Sequence, residues 1–185
     1  PAMTISRITL NDGSPISQFG LGVWQVPADE TERVVSDALE VGYRHIDTAQ
    51  MYENEEGVGA AIASSGLARG DLYVTTKLNN NRHERAAAKE SLKVSLDKLG
   101  LDQVDLFLIH WPMPAVGDFV DTWKAMERMY AGGRVRAIGV SNFQPAHIRR
   151  ILDSADIIPA VNQIEVHPYL TQDDVRAYNF DNGLV

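Results

Sequence analysis

Polar side chains that can transfer protons or stabilise charge follow a series of short apolar segments in this chain. They are Asp47, Lys77, His110, Ser141, Asn142, Gln163 and Glu165, with Tyr52 five residues after Asp47. Carboxylate, ammonium, imidazole and phenol groups are the usual carriers of acid–base chemistry. Each one also has an ordinary alternative, since Asp47 could cap a helix, Lys77 could be a surface charge and His110 could lie in the core. A functional interpretation therefore requires that the fold bring these residues together.

The elements that must position these residues alternate between short apolar and longer amphipathic segments. After an N-terminal hairpin, the pattern predicts strands over residues 21–24, 43–46, 72–76, 104–109, 136–140 and 160–166. Helical patterns follow over residues 29–41, 54–64, 82–99, 119–130, 145–152 and 171–178, the last with a Thr171-x-x-Asp174 capping signal. Strands that alternate with helices in this way are joined by crossovers into a parallel sheet.

Two parallel architectures compete, an open dinucleotide-binding sheet and a closed barrel. The nearest match to G-x-G-x-x-G is residues 57–62, which lack the third glycine and lie inside a predicted helix, so we interpret them as small residues that pack a helix on the sheet. Polar residues instead end nearly every strand, and a barrel gathers such residues at its carboxyl-terminal face. We therefore predict an α/β fold, a (β/α)8 TIM-type barrel, with a hairpin over residues 5–16 closing its bottom.

Composition narrows the range of partners and compartments. The 185 residues are long enough for one domain, residues 1–185, and 44% of them are hydrophobic. A net charge of −8 argues against binding to nucleic acid or to an anionic membrane surface. The absence of cysteine excludes disulfides, zinc–thiolate sites and thiol nucleophiles. No apolar run approaches the roughly 18 residues of a membrane helix, and residues 1–4 carry no targeting signal, so we expect a cytoplasmic protein.

Five motifs in order resemble those of the aldo-keto reductase family. They are the segments 42–52 (GYRHIDTAQMY), 75–78 (TTKL), 108–112 (LIHWP), 139–143 (GVSNF) and 162–169 (NQIEVHPY). The similarity runs from about residue 6 to residue 185. Among members, the bacterial diketo-gluconate and aldehyde reductases look most similar.

This resemblance implies an oxidoreductase that moves a hydride from a nicotinamide to a carbonyl carbon. Tyr52 would be the acid that protonates the carbonyl oxygen, with Lys77 stabilising the phenolate and Asp47 holding Lys77. His110 would hydrogen-bond and orient the substrate oxygen. The resemblance further implies cofactor-binding roles for Ser141, Asn142, Gln163 and Asp47, and substrate-pocket roles for Trp24, His110 and Trp111.

The resemblance also implies that part of the barrel lies beyond this sequence. A complete barrel needs about 250 residues, and this chain stops where the family begins its seventh strand. We therefore expect a barrel truncated after about six βα units, and a longer natural polypeptide. NADPH, with NADH as the alternative, is implied by the family alone. The expected partner is a small-molecule carbonyl substrate, and the complete protein is expected to be a monomer.

Two other functions fit some of the same residues. A catalytically inactive nucleotide-binding sensor or subunit would keep the fold without turnover, although all four catalytic positions are filled. A metal-dependent barrel hydrolase could use Asp47, His110, Glu165 and His167. This second alternative lacks paired-histidine ligand spacing and leaves Lys77 and Tyr52 unexplained, so we expect no metal.

Overall fold

A computed structural model describes residues 4–185, and residues 1–3 of the N-terminal segment discussed above lie outside it. Within residues 4–185 there are eight strands: β1 (Arg7–Thr9), β2 (Pro15–Ser17), β3 (Leu21–Gly22), β4 (His45–Asp47), β5 (Tyr73–Leu78), β6 (Val104–Ile109), β7 (Val135–Ser141) and β8 (Asn162–Gln163). The α-helices are α1 (Ala28–Val41), α2 (Glu55–Ser64), α3 (Arg85–Leu99), α4 (Phe119–Ala131), α5 (Pro145–Leu152) and α6 (Asp173–Asp181).

Strands β3 to β8 form one parallel sheet in sequence order. The sheet curls into a half-barrel with helices, which confirms the predicted α/β class and the six strand–helix units. The curl is visible in one contact, because Gln163 on β8 reaches Asp47 on β4, although three strands separate β4 and β8 in the sheet. The carboxyl ends of these strands therefore face a common space.

Burial separates an outer core from an inner one. The outer core packs the helices on the sheet, and its members on β6 include Phe107 and Ile109. The inner core lines the hollow of the half-barrel and contains Leu106 and Leu108 of the same strand. Every residue of β6 is buried, as expected for a parallel strand covered on both faces.

The N-terminal hairpin pairs β1 with β2 in antiparallel register around a turn at Asp12-Gly13, in which Gly13 has a φ of 83°. Its buried side chains Leu10 and Ile16 belong to the inner core. Asn11 Nδ2 donates to the carbonyl of Pro159, 2.9 Å away and ahead of β8. These contacts seat the hairpin against the amino-terminal end of the hollow.

The glycines of residues 57–62 pack helices together, so the interpretation that they pack a helix on the sheet is wrong in the partner. Both Gly57 and Gly59 lie within α2. A Cβ at Gly59 would collide with the backbone carbonyl of Leu99 at the end of α3, and one at Gly57 would lie 2.8 Å from the side chain of Thr31 on α1. Close helix approach accounts for both glycines.

The predicted strand over residues 160–166 is wrong in extent, since β8 contains only Asn162–Gln163. Its neighbour β7 ends at Ser141, and Asn142 turns the backbone away with a φ of 61°. The bond from Asn142 N to the Gln163 carbonyl, 2.9 Å, closes the ladder. The first sheet strand is likewise shorter than residues 21–24, because the chain turns at Gln25, which has a φ of 63°.

Two helix starts also differ from the predictions. Helix α3 begins at Arg85 rather than residue 82, because Glu84 caps it by accepting from the backbone N–H groups of Ala86 and Ala87. Helix α6 begins at Asp173 after Gln172, and Thr171 bonds the Asp173 side chain, so the predicted cap involving Asp174 is wrong.

Over residues 4–185, no helix is both long and apolar enough to cross a membrane.

Candidate active site

Lys77 is the fully buried centre of the site, near the carboxyl end of β5. Its ammonium forms an ion pair with Asp47 Oδ1. It also donates to the Thr48 carbonyl at 2.9 Å and to Tyr52 Oη at 3.3 Å. An ammonium has three N–H groups, and here each one has an acceptor. Because Tyr52 Oη accepts from Lys77, its own proton is left for another partner.

Asp47 joins two parts of the site. It is the last residue of β4, and one carboxylate oxygen pairs with Lys77. The other oxygen accepts from Gln163 Nε2 at 2.8 Å. A charged carboxylate between an ammonium and an amide is well satisfied, since both oxygens receive charge-assisted hydrogen bonds. Asp47 therefore fixes the position of Lys77 relative to β8.

A short 3₁₀ turn, Gln50–Tyr52, places the phenol. Gln50 anchors this turn, because its amide donates to Ser91 and Ser95 on α3 and accepts from the backbone N–H of Asn79 at 2.8 Å. The turn ends at Glu53, which has a φ of 56°. Tyr52 is thus held by its own backbone and needs no side-chain bond other than the one from Lys77.

His110 follows the last residue of β6 and is only 7% exposed. Its ring meets the Tyr52 ring edge to face, with centroids 5.7 Å apart and an interplanar angle of 79°. Burial lowers the pKa of His110 to about 4, with a further contribution from the Lys77 charge. At neutral pH the imidazole is therefore uncharged. Its Nδ1 is buried and has no hydrogen-bond partner among residues 4–185.

Three polar residues predicted to bind the cofactor form a second group at the ends of β7 and β8. Ser141 Oγ donates to the Gln163 carbonyl at 2.9 Å. Asn142 Nδ2 donates to the His110 carbonyl at 3.0 Å and to Ser141 Oγ at 3.1 Å. Through Gln163 and Asp47, this group is connected to Lys77. The structure thus brings the catalytic and cofactor predictions together into one hydrogen-bonded network.

The two tryptophans predicted to line a substrate pocket are exposed. Trp24, in the turn after β3, is 68% exposed, and Trp111, directly after His110, is 45% exposed. Trp24 is therefore not a core residue. Both indoles lie at the carboxyl end of the sheet, where Asp47 and His110 also lie.

Two further residues of the network escaped the sequence analysis. The Thr48 carbonyl accepts from Lys77, and the Thr48 hydroxyl donates to Asn54 Oδ1 at 2.7 Å. A backbone acceptor leaves no mark in residue type, which explains why Thr48 was missed. Asn54 precedes a helix and has the residue type of a helix cap, so its other contacts could not be read from the sequence.

The four residues of the hydrolase alternative do not converge. His167 Nε2 and Glu165 Oε1 are 3.0 Å apart, and both side chains are largely exposed. Asp47 is engaged by Lys77 and Gln163 instead. Within the described part of the chain, no three His, Asp or Glu side chains are grouped so that they could hold a metal ion.

Comparison with known sequences identifies aldo-keto reductases as relatives of this chain. The model of the aldo/keto reductase family matches residues 16–185. An aldo-keto reductase of Mycobacterium sp. (strain KMS) is 52% identical over 177 residues, which are 96% of this chain and 64% of the relative. One of Mycobacterium bovis is 52% identical over 184 residues, 100% of this chain and 65% of the relative. The chain thus spans about two thirds of the length of these relatives.

Solved structures of aldo-keto reductases also resemble this chain in fold. An aldo/keto reductase from Brucella melitensis has a TM-score of 0.95 and 47% identity, covering 98% of this chain and 71% of its own. A Bombyx mori aldo-keto reductase, solved in complex with NADP, has a TM-score of 0.95 and 40% identity, covering 100% of this chain and 66% of its own. With a family match over most of its residues and relatives at half identity, this chain belongs to the aldo/keto reductase family.

Proposed function

We propose that the complete protein is an NADPH-dependent reductase of small aldehydes and ketones, with Tyr52 as the proton donor. The observation that carries the proposal is the arrangement around Lys77. All three ammonium N–H groups have acceptors, and one acceptor is the phenol oxygen of Tyr52. A buried cation donating to a phenol stabilises the phenolate that forms when the proton leaves.

The residues divide the work of reducing a carbonyl. A reduced nicotinamide, when bound, would supply a hydride to the carbonyl carbon. Tyr52 Oη gives its proton to the carbonyl oxygen, and Lys77 stabilises the resulting phenolate. Asp47 keeps Lys77 charged and in place. His110, uncharged at neutral pH because burial lowers its pKa to about 4, offers a single N–H to orient the substrate oxygen.

The residues at the ends of β7 and β8 fit a nicotinamide carboxamide, which needs both donors and acceptors. Asn142 and Gln163 donate through their amide nitrogens to neighbouring protein oxygens. Their side-chain oxygens accept no hydrogen bond within residues 4–185, so each can accept from a carboxamide NH2 group. Ser141 adds a hydroxyl beside them. Asp47 would contribute by orienting Gln163.

Exposed aromatic side chains would form the substrate-binding surface. Trp24 and Trp111 would line the approach to His110 and Tyr52, and an apolar lining with a few polar groups suits a small carbonyl compound. NADP in the Bombyx mori relative supports NADPH as the cofactor, with NADH as the alternative. A cytoplasmic location and a monomeric state stay predictions.

The test is Tyr52→Phe in the complete polypeptide. Removing the phenol oxygen leaves the ring in place and removes the proton donor, so kcat for aldehyde reduction should fall by about 10²- to 10⁴-fold. The dissociation constant for NADPH should stay within about threefold of wild type, because Tyr52 is not among the cofactor residues. Both are measured by NADPH absorbance and fluorescence. Unchanged turnover would overturn Tyr52 as the acid.

The same measurement addresses the inactive sensor. A protein that binds NADPH but reduces none of a panel of aldehydes, ketones and dicarbonyls, with or without Tyr52, would be a binding protein of this fold. The complete ammonium network around Tyr52 favours the enzyme, because a sensor has no need of a proton donor.

A further inference from the structure

The buried side chain of Asn54 connects two parts of the site that the chain sequence keeps apart. It is 1% exposed. Its Oδ1 accepts from the Thr48 hydroxyl at 2.7 Å, and its Nδ2 donates to the carbonyls of Val23 at 3.0 Å and Val26 at 3.2 Å. Thr48 offers its own carbonyl to Lys77, so one amide lies between the ammonium and the turn at residues 23–26.

This turn carries Trp24. It is closed by the bond from Val26 N to the Val23 carbonyl, 3.1 Å, and Gln25 within it has a φ of 63°. A non-glycine residue in the left-handed region is strained and persists where surrounding contacts impose it. Asn54 holds the carbonyls on both sides of Trp24 and Gln25. The exposed indole of Trp24 therefore lies on a turn that the buried Asn54 side chain stabilises.

Helix capping does not explain Asn54. It precedes α2, but its side chain makes no capping hydrogen bond to that helix. All its bonds run to β3–α1 or to the segment after β4. No other side chain of this size offers two donors and an acceptor together, since aspartate cannot donate and leucine can do neither.

We propose that Asn54 is a positioning residue that sets the placement of Trp24 relative to Lys77 and Tyr52, and so the affinity for carbonyl substrates large enough to touch the indole. The inference deepens the proposed function and rests on it for the identity of the substrate. Asn54 itself touches neither substrate nor cofactor.

The test variant is Asn54→Asp, which keeps the size and the acceptor for Thr48. A carboxylate before α2 suits the helix N-terminus, so the helix is not weakened. Its oxygens would face the carbonyls of Val23 and Val26 and repel them. The matched control is Glu127→Ala on α4, which also removes two bonds to a loop backbone, those from Asp156 N at 2.8 Å and Ile157 N at 3.0 Å.

Kinetics in the complete polypeptide give the first readout. For 4-nitrobenzaldehyde, Asn54→Asp should raise KM about tenfold, equivalent to the loss of one or two buried hydrogen bonds, with kcat within about threefold. The KM for propanal, too small to span to Trp24, should change by less than about threefold. Glu127→Ala should leave both KM values unchanged. An unchanged KM for the aromatic aldehyde, or an equal rise in the control, would overturn the proposal.

A second readout does not depend on turnover. The 185 residues contain no cysteine, so Trp24→Cys, with any cysteine elsewhere in the complete polypeptide replaced by serine, provides a single site for a nitroxide spin label. Adding Asn54→Asp should narrow the spectrum of the label, as expected when the turn is released, whereas Glu127→Ala should not. If wild type reduces no aldehyde, the reductase assignment fails, and the label alone decides the inference. An unaltered spectrum would refute Asn54 as the support of the turn.

Discussion

Two ion clusters, each around a buried residue, lie at opposite ends of the same strands and differ in the groups they leave free. At the carboxyl end, Lys77 pairs with Asp47 and donates to Tyr52. At the amino end, Asp105 on β6 receives Arg69 at 2.6 Å and Arg136 at 3.3 Å, and also accepts from the backbone N–H of Val74 at 2.8 Å.

The hydrogen bonds of the amino-end cluster run to protein groups. Arg69 also donates to the carbonyls of Leu72 and Gln103, and Arg136 Nε donates to Gln103 Oε1 at 2.6 Å. The amino-end cluster therefore connects the beginnings of β5, β6 and β7. The carboxyl-end cluster leaves two groups free, because Tyr52 Oη only accepts, from Lys77, and the buried Nδ1 of His110 has no partner within residues 4–185. We therefore interpret the amino-end cluster as structural and the carboxyl-end cluster as a site with groups free to bind a ligand.

The largest expected effect is on turnover, from replacing the functional cluster. Lys77→Met with Asp47→Asn should lower kcat by about 10³-fold or more, a loss of roughly 4 kcal/mol of transition-state stabilisation. The free energy of unfolding should change by less than about 1 kcal/mol, because a buried pair replaced as a unit is often neutral. Kinetics and urea unfolding measure the two quantities. A stable variant with normal turnover would remove the contrast between the clusters.

The next effect is on stability, from the amino-end cluster. Asp105→Ala should lower the free energy of unfolding by about 2 kcal/mol, because it leaves the buried backbone N–H of Val74 without its acceptor and removes one acceptor each from the partly exposed Arg69 and Arg136. Turnover per folded molecule should remain within about twofold. The control is Asp156→Ala, whose carboxylate is 86% exposed and pairs with Lys124, and which should cost less than about 1 kcal/mol. Equal losses from both substitutions would contradict a structural role for Asp105.

The smallest effect within any one pH unit is a pH dependence of stability from His110. Burial lowers its pKa from 6.5 to about 4 in the folded protein, so the unfolded chain binds more protons between these values. Stability should therefore be retained above pH 6.5 and decline as pH falls towards 4, by at most about 1.4 kcal/mol per pH unit from this group. His110→Gln should make urea unfolding less dependent on pH in this window, while the other histidines remain as an internal reference. If the unfolding free energies of wild type and His110→Gln depended equally on pH, the lowered pKa of His110 would be refuted.

Much of this arrangement could be predicted because strand ends and residue types are local properties of the sequence. Asp47, Lys77 and His110 were identified as residues ending successive strands, and the structure brings them together. The roles of Thr48 and Asn54 could not be predicted, because a backbone carbonyl and a buried amide acquire partners only through folding. The early end of β8 was missed for a similar reason, since it depends on the backbone turn at Asn142.

The proposed chemistry is tested most directly by following the hydride. The complete polypeptide is incubated with an aldehyde and NADPH that carries deuterium at both C4 positions, and the alcohol is analysed by mass spectrometry. The account predicts one deuterium on the carbinol carbon with wild type and a rate lower by at least about 10²-fold with Tyr52→Phe. Alcohol without deuterium, or no alcohol from any carbonyl compound tested, would contradict the assignment as a nicotinamide-dependent reductase.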